Sequence, residues 1–114
     1  MRPLHLRGFM ARREAFTGVP SRVRFIGGES ETAHGRWYRM IAEHYDALWG
    51  PERPRLVSEF IHDVFQRHKP VQSVLDMACG TFSIDLELFQ WGYDIVGCDV
   101  SPEMLEVARE NLRQ

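Results

Sequence analysis

The chain has 114 residues, of which 44% are hydrophobic and 26% are charged, and its formal net charge is −2. A chain of this length corresponds to one small domain, and its composition is that of an ordinary globular protein rather than of a disordered or fibrous one. The small net charge gives no overall attraction to nucleic acid or anionic lipid, and no apolar run approaches the ~20 residues of a membrane-spanning helix.

Residues 1–35 are predicted to be an irregular basic segment, separate from the domain that follows. The first 28 residues contain six arginines and a single acid, Glu14, and stretches such as VPS and IGGES interrupt every periodic pattern. Three explanations for the arginines stay open: a solvated tail or misassigned start, an organelle presequence, and a nucleic-acid-binding arm. A nucleic-acid partner is the least favoured, because no aromatic interleaving accompanies the charge.

Two helices are predicted after this segment. The first begins at Arg36 and ends at Gly50, and apolar residues recur along it at the helical interval. This stripe consists of Trp37, Ile41, Tyr45 and Leu48. The second helix carries Pro54 in its first turn, where proline is tolerated. Its predicted core face consists of Leu56, Val57, Phe60, Ile61, Val64 and Phe65.

From residue 72 the pattern changes to strand, helix, strand, helix. SVLDMA and YDIVGCDV are short apolar runs of the kind found in strands buried on both faces, and SIDLELFQW between them returns to helical spacing. The last helix opens with Ser101 as N-cap and Pro102 at its first position. The order predicts an α/β fold in which two helices precede a β-α-β-α unit, as a partial doubly wound, Rossmann-like parallel sheet.

Two acids end the predicted strands, where an open parallel sheet binds its ligands. Asp76 closes the first strand and Asp99 the second, and the small-residue stretch ACGT leads from Asp76 into the N-terminus of a helix. Asp99 follows Gly80 by 19 residues, close to the spacing at which a second-strand acid accepts hydrogen bonds from ribose hydroxyls. The alternative for both acids is a helix-capping role.

These residues carry a family resemblance. VLDMACGT, followed by GYDIVGCDVSPEMLEVAREN, resembles the first two motifs of class I S-adenosylmethionine-dependent methyltransferases, and WYRMIAEHYDALWG resembles the leading helix of their small-molecule branch. The resemblance covers residues 36–114, which are therefore interpreted as the N-terminal part of a methyltransferase domain. A nicotinamide dehydrogenase is disfavoured, because ACGTFS lacks the G-x-G-x-x-G pattern.

The resemblance implies S-adenosyl-L-methionine as cofactor and a role for each matching position. Asp76 and the loop backbone would hold the methionine moiety, and Asp99 would bind the ribose. Tyr45, with Tyr38 as a second candidate, would cover the methionine end from the leading helix, with core packing as the alternative for both. The full set of implied cofactor-binding residues is Asp76, Ala78, Cys79, Gly80, Thr81, Asp99, Val100, Ser101, Met104 and Tyr45. No metal ligand and no catalytic base is identified.

Phe82 departs from the family pattern, because it stands where the loop usually has a second glycine. If the backbone there is left-handed, phenylalanine costs about 1–2 kcal/mol, and we expect weakened but not abolished cofactor binding. If φ is negative, the ring needs only space on the substrate side or under the leading helix. Cys79 contributes only backbone geometry in this interpretation.

The predicted strands are fewer than the roughly seven of a complete domain of this kind. We therefore expect an N-terminal fragment of a methyltransferase acting on a small molecule, in the cytoplasm and without a membrane partner. The alternative is a truncated, non-catalytic cofactor-binding or interaction module. Such a module would self-associate or pair with a complementing chain through its open sheet edge.

Overall fold

The computed structural model describes residues 22–27, 33–68 and 70–114, with only the backbone described for residues 33–35. Three strands and five α-helices occur in these ranges. In chain order they are β1 (Val23–Gly27), α1 (Ala33–Ile41), a 3₁₀ turn (Ala42–His44), α2 (Tyr45–Trp49), α3 (Glu52–Arg67), β2 (Ser73–Met77), α4 (Ser83–Gln90), β3 (Asp94–Asp99) and α5 (Pro102–Arg113).

The three strands form one parallel sheet in the order β1-β3-β2. Gly27 pairs with Asp99 at the end of β3, and Met77 at the end of β2 pairs with Cys98. The carboxyl ends of all three strands therefore meet at one edge of the sheet, where ligands bind in folds of this class. This arrangement confirms the predicted α/β fold with a partial Rossmann-like parallel sheet.

Strand β1 corrects the prediction that residues 1–35 are irregular. Within VRFIG, Val23 is buried and Phe25 half-buried, whereas Arg24 and Ile26 are exposed, which is the alternation of a strand with one covered face. A five-residue strand of this kind is stabilised by pairing with β3, about 70 positions later, and local sequence carries no sign of that partner. Helix α1 also begins at Ala33, before the predicted Arg36. The described residues do not test the predicted domain boundary, and residues 1–21 lie outside them.

The prediction of a single leading helix is also corrected, since α1 and α2 are separated by a 3₁₀ turn at Ala42–His44. The tighter turn breaks the 3.6-residue period, so the predicted apolar stripe does not stay on one face. Trp37 and Leu48 are exposed, and Ala42 is the buried residue at this point. On α3, Ile61 and Phe65 pack against the core as predicted, but Leu56 and Phe60 of the predicted core face are exposed. The buried Ser58 was not foreseen.

The predicted burial of both strand faces is wrong for β2. Leu75 and Met77 are 62% and 68% exposed, and Ile26 on the same side of β1 is 57% exposed. Within the described residues, helices cover only the opposite face of the sheet. There the core consists of Val23, Phe82, Leu88, Tyr93, Ile95, Ala108 and Leu112. None of the helices in the described ranges has the length and apolar character needed to cross a membrane.

Candidate functional site

A cavity of about 200 Å³ lies at the carboxyl end of β2, where the strand turns into α4. Six of the ten predicted cofactor-binding residues line it: Tyr45, Asp76, Ala78, Cys79, Gly80 and Thr81. The remaining lining residues are Arg53, Ser83 and Ile84. The predicted loop and the leading helical region therefore meet at one site, although no residue role is tested by this placement alone.

The loop between β2 and α4 reverses direction through three residues with positive φ. These are Ala78 (φ 68°), Gly80 (φ 57°) and Phe82 (φ 67°). The Cys79 N–H donates to the Cys98 carbonyl at 2.9 Å, which fixes the loop against β3. A Cβ atom on Gly80 would meet no heavy atom within 4 Å, so the backbone here borders open space. A ligand can approach the loop closely at this position.

Phe82 adopts the left-handed conformation, which is the strained one of the two alternatives considered from the sequence. Its ring does not enter the cavity but is fully buried in the core, edge-on to Phe25 of β1 at 5.0 Å between centroids. The residue also precedes α4 as its N-cap without any side-chain cap. Backbone strain of about 1–2 kcal/mol is therefore offset by burial of an aromatic ring, which contributes more.

The Asp99 carboxylate lies against the loop. Its Oδ2 accepts a hydrogen bond from the Gly80 N–H at 2.9 Å, and its Oδ1 accepts one from the Ser101 N–H at 2.9 Å. Each oxygen keeps a further acceptor position, because a carboxylate has about four lone-pair sites. Asp99 therefore contacts the loop that follows Asp76 in the chain.

The other predicted positions near β3 have distinct environments. Val100 is exposed, whereas Ser101 and Met104 are almost completely buried. Ser101 is the N-cap of α5, and its Oγ accepts from the Met104 N–H at 3.2 Å. Tyr38 is half-buried, and the cavity-lining residues do not include it. Their roles toward a cofactor stay predictions.

A polar network that the sequence did not suggest ties two helices, α2 and α5, to the loop. The Thr81 hydroxyl donates to Asp46 Oδ1 of α2, and Thr81 itself is 2% exposed. The Asn111 amide of α5 donates to Asp46 Oδ2 and to the Thr81 carbonyl, each at 3.0 Å. Long-range pairs of this kind leave no local signal, so sequence reasoning had no means to find them. The network holds α2 beside the cavity.

Arg53 is a second lining residue that sequence reasoning missed. It is half-buried near the start of α3, and its guanidinium lies over the Trp49 ring at 5.0 Å. This contact limits the positions that the side chain adopts and keeps a cation at the cavity. In the sequence, Arg53 lies between Pro51 and Pro54, a position that indicates the start of a helix but gives no sign of a ligand.

Two titratable groups near the cavity are strongly perturbed. Burial, followed by contact with Asp76, raises the pKa of Asp85 to about 9, and this residue is 2% exposed. Burial and the neighbouring carboxyls raise the pKa of Cys79 to about 12, so its thiol stays protonated at neutral pH. A protonated thiol is a poor nucleophile, and the backbone role of Cys79 stays a prediction.

Comparisons with known proteins find similarity to methyltransferases. Residues 74–114 match the model of a family described as "Methyltransferase domain". A segment of 46 residues is 46% identical to the "Uncharacterized methyltransferase C1347.09" of Schizosaccharomyces pombe, and one of 39 residues is 41% identical to the "Putative methyltransferase YqeM" of Bacillus subtilis. These segments are 40% and 34% of this chain, and each covers 16% of the relative's length.

Proposed function

We propose that the chain is part of a class I S-adenosylmethionine-dependent methyltransferase-like domain and binds S-adenosyl-L-methionine for methyl transfer to a small molecule; the match of residues 74–114 to a methyltransferase domain supports this. The observation that carries the proposal is the placement of Asp99 against the Gly80 amide, beside a cavity that Asp76 and the loop line. A carboxylate beside an amide-rich turn suits a ribose linked to a polar group.

The residues at the cavity fit this cofactor. Asp76 and Arg53 bring opposite charges to one cavity, which matches the ammonium and carboxylate of an amino-acid moiety. The open space at Gly80 leaves room for a ligand over the loop backbone. The unused acceptor positions of Asp99 suit two neighbouring hydroxyls of a ribose.

The chain's own contribution to the reaction is binding and orientation. The cofactor's sulfonium supplies an electrophilic methyl group, so little covalent chemistry is left for protein side chains. Asp76, Arg53 and the loop would fix the amino-acid end, and Asp99 the ribose. Tyr45 and α2 would exclude water from the reacting end. Cys79 takes no part as a base, since its thiol is protonated.

The acceptor and the cellular setting belong to this proposal. The small-molecule acceptor rests on the likeness of residues 37–50 to the leading helix of the small-molecule branch. A cytoplasmic location rests on two cysteines that are free thiols. Because the matched segments cover 16% of each relative, the activity of the whole protein is likewise part of the proposal.

Isothermal titration calorimetry with S-adenosyl-L-methionine tests the proposal. We expect the wild-type chain to bind and Asp99→Asn to weaken binding at least ~10-fold, because an amide cannot accept both ribose hydroxyls as a carboxylate does. Asp94→Asn, at the opposite end of β3, is the matched control and should bind like wild type. Thermal melting of each variant shows whether a loss of binding follows from unfolding. A wild-type chain that binds neither cofactor nor S-adenosylhomocysteine would refute the proposal.

One face of the sheet is not covered by any helix of the described residues, which favours a second candidate, an interaction module without catalysis. Ile26, Leu75 and Met77 are all more than half exposed on one side of the sheet, and β1 and β2 are its two outer strands. Apolar faces and open edges of this kind associate with other chains. Sedimentation of the chain at several concentrations separates the two: a monomer that binds cofactor supports methyl transfer, whereas self-association without binding supports the module.

A further inference from the structure

Helix α2 borders the cavity but packs little of its surface into the protein. None of its five residues is buried, and the last three, Ala47, Leu48 and Trp49, are exposed. Only Tyr45, which lines the cavity, and Asp46 are half-buried. A helix of this length has almost no stability of its own and depends on contacts with the rest of the protein. Apolar burial supplies few of these contacts to α2.

The neighbouring helices do not hold α2 rigidly at its ends either. The 3₁₀ turn Ala42–His44 separates it from α1, and Gly50, with a φ of 74°, separates it from α3. Because regular α-helical hydrogen bonding is interrupted at both breaks, α1 and α3 do not by themselves determine the direction of α2. The Arg53 guanidinium contacts the Trp49 ring at 5.0 Å, but that ring is exposed, and cation–π contacts at exposed sites are weak.

The Asp46 carboxylate is the group that ties α2 to its surroundings. Its Oδ1 accepts from the Thr81 hydroxyl, and its Oδ2 accepts from the Asn111 amide at 3.0 Å. The same amide donates to the Thr81 carbonyl at 3.0 Å, so both of its N–H groups point into the network. Hydrogen bonds to a carboxylate are roughly twice as strong as those between neutral groups. One side chain of α2 is therefore joined to both the loop and α5.

We propose that Asp46 is a positioning residue for Tyr45: held by Thr81 and Asn111, it keeps α2 where Tyr45 covers the methionine end of the cofactor. The inference rests on the proposed function, which puts Tyr45 over that end. Asn111 is not among the residues that line the cavity, so it acts on binding only through this network. Loss of the network should weaken ligands that extend to the methionine end and spare nucleosides, which bind at Asp99.

The experiment breaks the contact between Asp46 and Asn111 and then restores it with the roles exchanged. Asn111→Asp sets two carboxylates against each other, whereas the double variant Asp46→Asn/Asn111→Asp again pairs an amide with a carboxylate. Titration calorimetry uses two probes, S-adenosyl-L-methionine and adenosine, which lacks the methionine moiety. We expect Asn111→Asp to weaken S-adenosyl-L-methionine ~10-fold or more and adenosine less than ~3-fold, and the double variant to recover at least ~3-fold of the loss.

Ala108→Gly is the matched control on α5. It lowers the stability of the helix, because glycine is a poor helix former, but it touches no member of the network. We expect it to lower the melting temperature and to keep the wild-type ratio of the two affinities. A change of that ratio in Ala108→Gly as large as in Asn111→Asp would show that general destabilisation, and not the position of α2, controls binding.

Two other results would overturn the inference while wild type binds the cofactor. If Asn111→Asp leaves both affinities unchanged or weakens both probes equally, Asp46 does not position Tyr45. If the double variant recovers nothing, the loss does not arise from the contact between residues 46 and 111. If wild type binds neither probe, the proposed function fails, and amide hydrogen exchange of the ligand-free chain decides whether the network holds α2.

The amide to follow is that of Gly50, which donates to the Asp46 carbonyl at 3.2 Å and closes α2. Asn111→Asp should speed its exchange ~10-fold, and the double variant should slow it again, because local opening depends on the contacts of the segment that opens. The Ile95 amide of β3, which donates to the Arg22 carbonyl, should exchange at the wild-type rate. An unchanged Gly50 rate in Asn111→Asp would refute the hold on α2, whether or not a cofactor binds.

Discussion

The two junctions at which a strand of the sheet leads into a helix differ in backbone conformation and in helix capping. Between β2 and α4, Ala78 and Phe82 both take left-handed conformations, and no side chain caps the helix. Between β3 and α5, Ser101 is extended, caps the helix with its hydroxyl and is followed by Pro102 at the first helical position. The first junction is strained and borders the cavity, whereas the second is regular and fixes Asp99.

The difference indicates which junction is shaped by local preference and which by its surroundings. Serine and proline specify the β3–α5 junction by themselves, because each matches the backbone it occupies. The β2–α4 junction keeps its shape because the rest of the molecule stabilises it, through the Phe82 ring in the core and the Asp46–Thr81–Asn111 network. Strain held in this way is typical of ligand-binding turns.

Among the substitutions that test this difference between the junctions, replacement of Phe82 should have the largest effect on the free energy of unfolding. Phe82→Ala removes a completely buried ring and should lower the free energy of unfolding by about 3–5 kcal/mol. Phe82→Gly removes the same ring but also the left-handed strain, so it should be more stable than Phe82→Ala by about 1 kcal/mol. Urea denaturation of both variants measures the difference. A glycine variant no more stable than the alanine variant would show that the junction holds no strain.

The next largest effect on stability should come from the acid in the first turn of α4, Asp85, and it should exceed that of Glu103 in the first turn of α5. The pKa of Asp85 is raised from 3.8 to about 9, so the folded chain holds more protons than the unfolded chain between these values. The contribution of Asp85 to stability therefore falls as pH rises through this window, by at most about 4 kcal/mol from pH 5 to pH 8. Asp85→Asn should flatten that decrease and melt at a higher temperature than wild type at pH 8.

Glu103 is the matched control in the first turn of α5. It is partly exposed and pairs with Arg39 at 2.8 Å, so Glu103→Gln should change stability by less than about 1 kcal/mol. Thermal melts over the same pH range measure both variants. Equal slopes for wild type and Asp85→Asn would contradict the assignment of a buried proton to Asp85.

Removing the caps should give the smallest effect. Ser101→Ala should lower the free energy of unfolding by about 1 kcal/mol, because the Met104 N–H loses its acceptor at the start of α5. Ser83→Ala, at the first position of the uncapped α4, should change it by less than half of that amount. Urea denaturation of the two variants measures their free energies of unfolding and tests this prediction. Similar losses would mean that the junctions are capped alike.

Sequence reasoning succeeded where the information was local. The strands at residues 73–77 and 94–99, the helix start at Ser101 and the resemblance to methyltransferases could be predicted because they depend on neighbouring residues. Strand β1, the core position of Phe82 and the Asp46–Asn111 contact depend on partners tens of residues away, so they could not. The positive φ of Ala78 was missed because alanine gives no signal for it.

Strand β1 has a practical consequence for protein engineering. Its Gly27 (φ +112°) lies so close to β3 that a Cβ atom would stand 2.0 Å from the Asp99 carbonyl oxygen, and its Phe25 supports the Phe82 ring. An expression boundary placed at residue 36, where the predicted domain begins, would delete both supports. The shortened product would keep every recognisable motif but lose the strand that packs against Phe82 and pairs with β3 at Asp99.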